Sequence, residues 1–142
     1  MMWCILQVLA ASDIISLHSR STGSRVVKLL VEKGATVSSI SKSGAPPKWF
    51  KDEEWTKEVA WKSADLMSSS EEELDAIVGM PDSVVSCVGV IGTDPSTLLE
   101  GNGNSNKAAF ASAKRGGKLQ RAVYVSVGSE VDACKENWVR IS

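Results

Sequence analysis

The sequence predicts a single α/β domain built on a doubly wound parallel sheet. A length of 142 residues is typical of one domain. From Ser24 onward, helical periods alternate with short β-rich runs, and no internal repeat interrupts them. The run Ser83–Val88 is nearly continuously apolar, as expected of a strand buried on both faces. Because alternating strands and helices connect through right-handed crossovers, we expect helices on both sides of a parallel sheet.

The first predicted elements form a helix and two strands. A helix is expected over Ser24–Lys33, where apolar residues recur at helical spacing and Gly34 follows as a left-handed cap. An extended run over Ala35–Ser41 comes next. The segment Lys42–Trp55 contains a glycine and two prolines, which predicts a surface loop before a short strand over Val59–Lys62.

A second helix is expected to begin after Ser68–Ser70. Ser70 and Glu73 have the spacing of a capping box, and the neighbouring acidic residues suit the positive end of a helix dipole. Gly79 can close this helix. We therefore interpret the acidic cluster as a helix start rather than as a set of metal ligands.

The last elements continue the alternation. The strand Ser83–Val88 is followed by Asp94 and Pro95, which are typical N-cap and first-turn residues. Two glycines break the pattern before a firmer helix over Asn104–Arg115. A final strand is predicted over Ala122–Val127.

Charge and cysteine content exclude several classes of protein. The chain has 16 Lys and Arg against 17 Asp and Glu, so it lacks the basic field that drives nucleic-acid binding, and no nucleic-acid partner is expected. The three cysteines lack the spacing of a disulfide framework or a zinc site. A reducing interior compartment and no bound metal are therefore expected.

We expect two parts of the chain, a divergent N-terminal segment over residues 1–22 and a partial α/β domain over residues 23–142. The apolar run Met1–Ala11 is too short to cross a bilayer, which needs about 20 residues. The Ser and Arg bias that follows has some character of an organellar transit peptide. The alternative interpretation of this segment is a first strand with its loop.

The first strand-to-helix turn has one glycine in a dinucleotide-binding pattern. Gly23 matches the third glycine of a GxxGxxG motif, whose glycines let the backbone approach a pyrophosphate. The first two places are Leu17 and Arg20, where we expect side chains to crowd the phosphate. Arg20, Ser21 and Thr22 form either a substitute anion site or a solvated basic loop.

The second turn favours NADP over NAD. Ser41, Lys42 and Ser43 offer a cation and hydroxyls, with no acidic residue to bind the ribose 2′-hydroxyl of NAD. A 2′-phosphate suits this turn better. The alternative is that Lys42 is simply solvated.

Two further turns complete the candidate site. Asp65 and Leu66 can edge an adenine ring, and Gly89 leaves room for a ribose. The alternatives are that Asp65 caps a helix and that Gly89 is an ordinary turn residue.

These turns resemble those of the atypical extended short-chain dehydrogenase/reductases, a Rossmann-like family. The resemblance is strongest to the branch related to the accessory Rossmann subunit of mitochondrial NADH:ubiquinone oxidoreductase. The matching stretches are GSRVVKLLVEKGATVSSISKSG (23–44), VAWKSADL (59–66), SVVSCVGVIG (83–92) and NGNSNKAAFASAKRGGKLQRAVYVSV (102–127).

The resemblance implies a role for each matching position. The implied positions are Gly23 and Ser24 at the pyrophosphate, Lys42 and Ser43 at the adenosine ribose or its phosphate, Asp65 and Leu66 at adenine, Val88 and Gly89 near the central riboses, Ser126 as the family's catalytic serine, and Asn106 in the supporting helix. Ser41, directly before Lys42 and Ser43, is a further candidate cofactor-binding residue in the second turn.

The chain departs from the family at the catalytic pair. Active members use a tyrosine four residues before a lysine, but Tyr124 is followed four positions later by Gly128, and Lys135 is preceded by Val131. Either this branch works without the pair or the chain stops before the substrate half.

Two functions remain open. One is an NAD(P)-binding oxidoreductase module linked to organellar quinone metabolism, with mitochondria expected over plastids. The other is a non-catalytic accessory or assembly protein that binds a dinucleotide structurally or not at all. A truncated product without independent function is the third interpretation.

Overall fold

The structure, a computed structural model, describes residues 13–18, 22–91 and 93–125. Within these residues, five strands form one parallel sheet in the order β3-β2-β1-β4-β5. The strands are β1 (Asp13–His18), β2 (Thr36–Ser41), β3 (Val59–Ser63), β4 (Ser83–Cys87) and β5 (Arg121–Tyr124). The chain builds outward from β1 to β3 and then returns to build the other half, which confirms the predicted doubly wound α/β fold.

Helices cover both faces of this sheet. They are α1 (Thr22–Glu32), α2 (Glu71–Val78), α3 (Pro95–Leu98) and α4 (Ser105–Arg115). A 3₁₀ turn over Glu54–Glu58 precedes β3, and a π-helical turn over Leu99–Asn104 joins α3 to α4. The three helices with predicted limits, α1, α2 and α4, begin and end within two residues of those limits.

Two apolar cores lie on opposite faces of the sheet. On one face, Val27 and Leu30 of α1 pack against Val37 and Val85 of the strands. On the other face, the core joins β1, β2 and β4 to α2 and α4 through the following side chains: Leu17, Ile40, Val84, Leu74, Ala109 and Ala113. Because successive strand residues face opposite sides, a strand buried on both faces is apolar at most positions.

The helix limits follow the local capping rules. The Ser70 hydroxyl accepts from Glu73 N at 3.2 Å and the Glu73 carboxylate accepts from Ser70 N at 3.0 Å, which confirms the capping box. Gly34 and Gly79 have φ of 79° and 71°, which only glycine adopts readily. Asp94 accepts from Thr97 N at 2.8 Å, and hydroxyl and backbone hydrogen bonds from Ser96 and Thr97 lower its pKa to about 2.

The break predicted at Gly101 and Gly103 does not end the helical run. The backbone instead widens into the π-helical turn over Leu99–Asn104 and continues directly into α4. A β-carbon added at Gly101 would lie 2.5 Å from Cγ2 of Val90. This glycine therefore permits close packing against the loop after β4 rather than a chain break.

Strand β1 lies inside the N-terminal segment, where the sequence left a first strand as one of two interpretations. Its start at Asp13 and the fully buried Ser16 interrupt the apolar pattern that would have marked a central strand. The transit-peptide interpretation concerns residues that lie largely outside the described ones and stays a prediction.

The expectation that Leu17 crowds the phosphate turn is wrong. Its side chain is 1% exposed and packs in the core on the α2 and α4 face. Strand alternation causes this, because Leu17 and its neighbour Ser16 face opposite sides of the sheet. Arg20, at the second glycine place, lies outside the described residues.

We expect Leu17→Ala to lower the free energy of unfolding by about 2–5 kcal/mol, because it leaves a cavity in a closed core. Leu29→Ala is the matched control, since Leu29 is 57% exposed on α1 and should change stability by less than about 0.5 kcal/mol. Urea unfolding followed by circular dichroism measures both. Equal losses in the two variants would contradict the placement of Leu17.

Candidate functional site

The turns that follow β2, β3 and β4 open into one crevice of about 1120 Å³. It lies beyond the carboxyl ends of these strands, where parallel sheets bind ligands. Seven of the predicted site residues line it: Ser41, Lys42, Ser43, Asp65, Leu66, Val88 and Gly89. The sequence therefore found the three turns that form the crevice.

The turn after β2 is closed by hydrogen bonds to the end of β3. The Ser41 hydroxyl accepts from Gly44 N at 3.2 Å and lies 3.3 Å from the Ser43 hydroxyl. The Ser63 hydroxyl donates to the Lys42 carbonyl at 2.9 Å. Gly44 has φ of 61°, and a β-carbon there would lie 2.8 Å from Cβ of Ser63. The backbone that carries Lys42 is thus held by hydrogen bonds on both sides.

Lys42 and Asp65 form an ion pair across the mouth of the crevice. Lys42 Nζ lies 2.8 Å from Asp65 Oδ2, with the lysine side chain 78% exposed and the aspartate 35%. The carboxylate also accepts from Met67 N at 3.1 Å. The hydrogen bond from Lys42, followed by the one from Met67 N, holds the pKa of Asp65 below its usual range. The two predicted ligand contacts are therefore each other's partners in this structure.

The alternative role of Asp65 as a helix cap is wrong, because the N-cap of α2 is Ser70 and Asp65 instead closes a turn ahead of it. Its side chain accepts from Met67 N, and its carbonyl accepts from Ser68 N and Ser69 N, at 3.3 and 3.0 Å. These bonds form a turn before α2. The Asp65 carboxylate is consequently held in place by the backbone as well as by Lys42.

The apolar floor of the crevice comes from Leu66 and Val88. Both side chains are partly buried and pack against the core on the α2 and α4 face. These two side chains therefore connect the turns after β3 and β4 to the core.

Two asparagines of the helical run hold the turn after β4. Asn102 accepts from Val90 N at 2.8 Å and donates to Val90 O at 3.1 Å. Asn106 donates to Val88 O at 3.2 Å and to Asn102 O at 2.9 Å, and its Oδ1 accepts from the buried Ser86 hydroxyl. We name Asn102 and Asn106 the asparagine clasp.

The clasp explains why Gly89 stands between the two held residues. A β-carbon at Gly89 would lie 2.7 Å from Oδ1 of Asn102. The glycine therefore allows the close approach of Asn102. Sequence reasoning missed Asn102 and placed Asn106 only in a supporting helix, although their four-residue spacing puts them on one helix face.

The loop between β2 and β3 forms a further wall that sequence reasoning did not assign to the site. Pro46, Pro47 and Trp49 line the crevice, and Trp49 is 55% exposed. Trp49 meets Phe50 edge to face at 6.3 Å between ring centroids, and Phe50 meets Trp55 at 5.6 Å. An exposed indole is thereby anchored to the core along one edge.

This loop is tied to α1 by a second ion pair. Lys28 Nζ donates to Glu53 Oε2 at 2.6 Å, and Trp55 Nε1 donates to the same oxygen at 2.7 Å. The hydrogen bond to Glu53 raises the pKa of Lys28, and the bonds from Lys28 and then Trp55 lower that of Glu53. The wall is therefore positioned by the first helix.

Gly23 and Ser24 lie in the buried first turn of α1. Among the described residues they are not part of the crevice lining. Their role at a pyrophosphate stays a prediction, as does the catalytic role of Ser126, which lies outside the described residues.

Other kinds of site are not seen in the part of the chain that the structure describes. Those residues contain no group of three His, Cys, Asp or Glu side chains placed to hold a metal ion. Their helices are too short or too polar to cross a membrane. Cys87 is a buried thiol whose pKa is raised by burial, which does not favour reactivity.

No family profile and no curated protein sequence matches this chain. Solved structures do match. An epimerase from Methanothermobacter thermautotrophicus has a TM-score of 0.68 at 20% identity over 84% of this chain and 36% of its own. UDP-glucose 4-epimerase from Bifidobacterium longum, in complex with NAD+ and UDP, has a TM-score of 0.67 at 15% identity. The match covers 83% of this chain and 38% of the epimerase. Uronate dehydrogenase from Agrobacterium tumefaciens has a TM-score of 0.58 at 18% identity, and the match covers 83% of this chain and 41% of the dehydrogenase.

These similarities confirm the Rossmann-like α/β fold. At such identities they show the fold alone. The chain spans about two fifths or less of the length of these three proteins.

Asn102→Ala should release the turn after β4. We expect amide exchange at Val90 to become about tenfold faster, because the amide loses its hydrogen bond to Asn102 Oδ1. Asn104→Ala removes an exposed amide from the same segment and is the matched control. Hydrogen exchange followed by NMR measures both, and unchanged protection in Asn102→Ala would contradict the clasp.

Proposed function

We propose that this chain is the NAD(P)-binding module of a protein of the short-chain dehydrogenase/reductase type. The observation that carries the proposal is the convergence of the turns after β2, β3 and β4 on one crevice at the carboxyl edge of a parallel sheet. A volume of about 1120 Å³ leaves room for a ligand as large as a dinucleotide. The NAD+ in the Bifidobacterium epimerase supports the same ligand class on this fold.

The ligand would lie across the switch between the two halves of the sheet. We assign its pyrophosphate to Gly23 and Ser24, because backbone amides at the N-terminus of α1 favour an anion. The adenosine end falls to the turns at Lys42 and Asp65. The central riboses fall to Gly89, where the backbone is open.

We further propose NADP rather than NAD as the cofactor. The turn after β2 presents an ammonium group and hydroxyls but no carboxylate of its own. Lys42 is 78% exposed, so its charge can reach a phosphate at the crevice mouth. The Ser41 and Ser43 hydroxyls already form hydrogen bonds within the turn. Their role would therefore be to hold the shape of the turn rather than to donate to the phosphate.

Binding, rather than hydride transfer, is the function proposed for these 142 residues. A nicotinamide cofactor supplies a hydride when bound. Among these 142 residues the proton-transfer pair of active family members is not found, because Tyr124 has Gly128 rather than a lysine four residues later.

We also propose a second candidate function, an accessory or assembly role in a respiratory or quinone-synthesis complex. It is favoured by the observation that these 142 residues contain no tyrosine followed four positions later by a lysine. The sequence resemblance and the Ser and Arg bias near the N-terminus motivate an organellar, mitochondrial location. Cell fractionation with an antibody tests this, and a purely cytosolic signal would contradict it.

Calorimetric titration of the purified chain with NADPH and NADH tests the proposed function. We expect NADPH to bind, and Lys42→Ala to weaken it about tenfold or more through loss of a charged contact. Lys48→Ala removes an equal charge from the crevice wall and should have a smaller effect. A folded chain that binds neither dinucleotide at millimolar concentration would contradict the proposal and favour a scaffold role.

A further inference from the structure

The two charged residues at the crevice mouth are brought together by the register of the sheet. Ser41 of β2 pairs with Ser63 of β3, so the residues just beyond each strand emerge side by side. Lys42 follows β2 directly and Asp65 follows β3 by two residues. Their 2.8 Å contact is therefore a consequence of the fold.

We propose that Asp65 is a specificity-determining residue that weakens the binding of 2′-phosphorylated adenosine relative to adenosine with a free 2′-hydroxyl. In this role it is the counter-ion with which a phosphate must compete for Lys42. The inference rests on the proposed function and assigns the regulation of phosphate selectivity to one carboxylate.

The two partners differ in how firmly they are held. Lys42 is 78% exposed, and a lysine side chain has many rotamers. Asp65 is 35% exposed, and its Oδ1 accepts from Met67 N at 3.1 Å. When a phosphate arrives, the lysine can turn toward it while the carboxylate stays in the turn.

A carboxylate that stays beside the lysine opposes the phosphate in two ways. It competes for the ammonium group, and it repels the ligand's negative charge across a short distance. An adenosine with a free 2′-hydroxyl meets neither penalty. The turn after β2 therefore favours NADP over NAD through Lys42, and Asp65 in the turn after β3 reduces that preference.

The pair is not needed for the fold. Exposed ion pairs contribute little to stability, and the turn at Asp65 has backbone hydrogen bonds of its own. Asp65→Asn keeps the size of the side chain and an oxygen to accept from Met67 N. The variant removes the charge and should leave the turn intact.

The test compares dissociation constants for NADPH and NADH in the wild-type chain and in Asp65→Asn, by calorimetry. We expect the NADPH to NADH affinity ratio to rise about tenfold, of the order that one charge pair a few ångströms apart produces near water. Taking the ratio removes contributions common to both ligands, including any contact between Asp65 and adenine. The rise should shrink in about 1 M salt, where screening is strong.

Asp52→Asn is the matched control. Asp52 is exposed in the loop between β2 and β3 and does not belong to the described crevice lining, so the variant makes the same charge change elsewhere. We expect its ratio to equal that of the wild type. Asp65→Ser is a second variant at the site, with a hydroxyl to accept from Met67 N.

Each outcome decides between the claims. An unchanged or lowered ratio in folded Asp65→Asn and Asp65→Ser, with wild-type binding intact, would overturn the inference alone. An equal rise in Asp52→Asn would also overturn it, because it would show a general charge effect. Failure of the wild type and of both Asp65 variants to bind either dinucleotide would overturn the proposed function and this inference with it.

Discussion

Strand β1 lies in the middle of the sheet and pairs in parallel with β2 on one side and with β4 on the other. Because all pairs are parallel, the carboxyl ends of the strands meet at one edge. The change of direction between β1 and β4 separates the turns there and leaves a crevice. Every functional assignment depends on this arrangement.

The crevice is held by polar contacts of different kinds. On the β4 side, the asparagine clasp fixes the backbone around Gly89 with neutral hydrogen bonds. On the β2 and β3 side, the backbone is fixed by hydrogen bonds, and the charged side chains of Lys42 and Asp65 remain exposed. Under the proposed function, we expect the β4 wall to contact a part common to both dinucleotides, such as a ribose, and the β2 and β3 wall to discriminate between them by charge.

The turns that line the crevice could be predicted from the sequence, whereas the contacts between them could not. Turn positions at Lys42, Asp65 and Gly89 follow from strand periodicity and from the residues that end each strand. The contact between Lys42 and Asp65 depends on the register of β2 against β3, which no local pattern encodes. Strand β1 was obscured because Ser16 is polar and yet fully buried. The clasp was missed because glycines in the π-helical turn concealed that Asn102 belongs to a continuous helical run.

The most direct test of the common crevice is a map of backbone amide NMR shifts on titration with NADP+. We expect the amides of Ser24, Lys42, Asp65 and Gly89 to shift together and to saturate at one ligand concentration, since one ligand would contact all four turns. Shifts confined to the opposite edge, around Ala35 and Asp82 at the amino ends of β2 and β4, would contradict it.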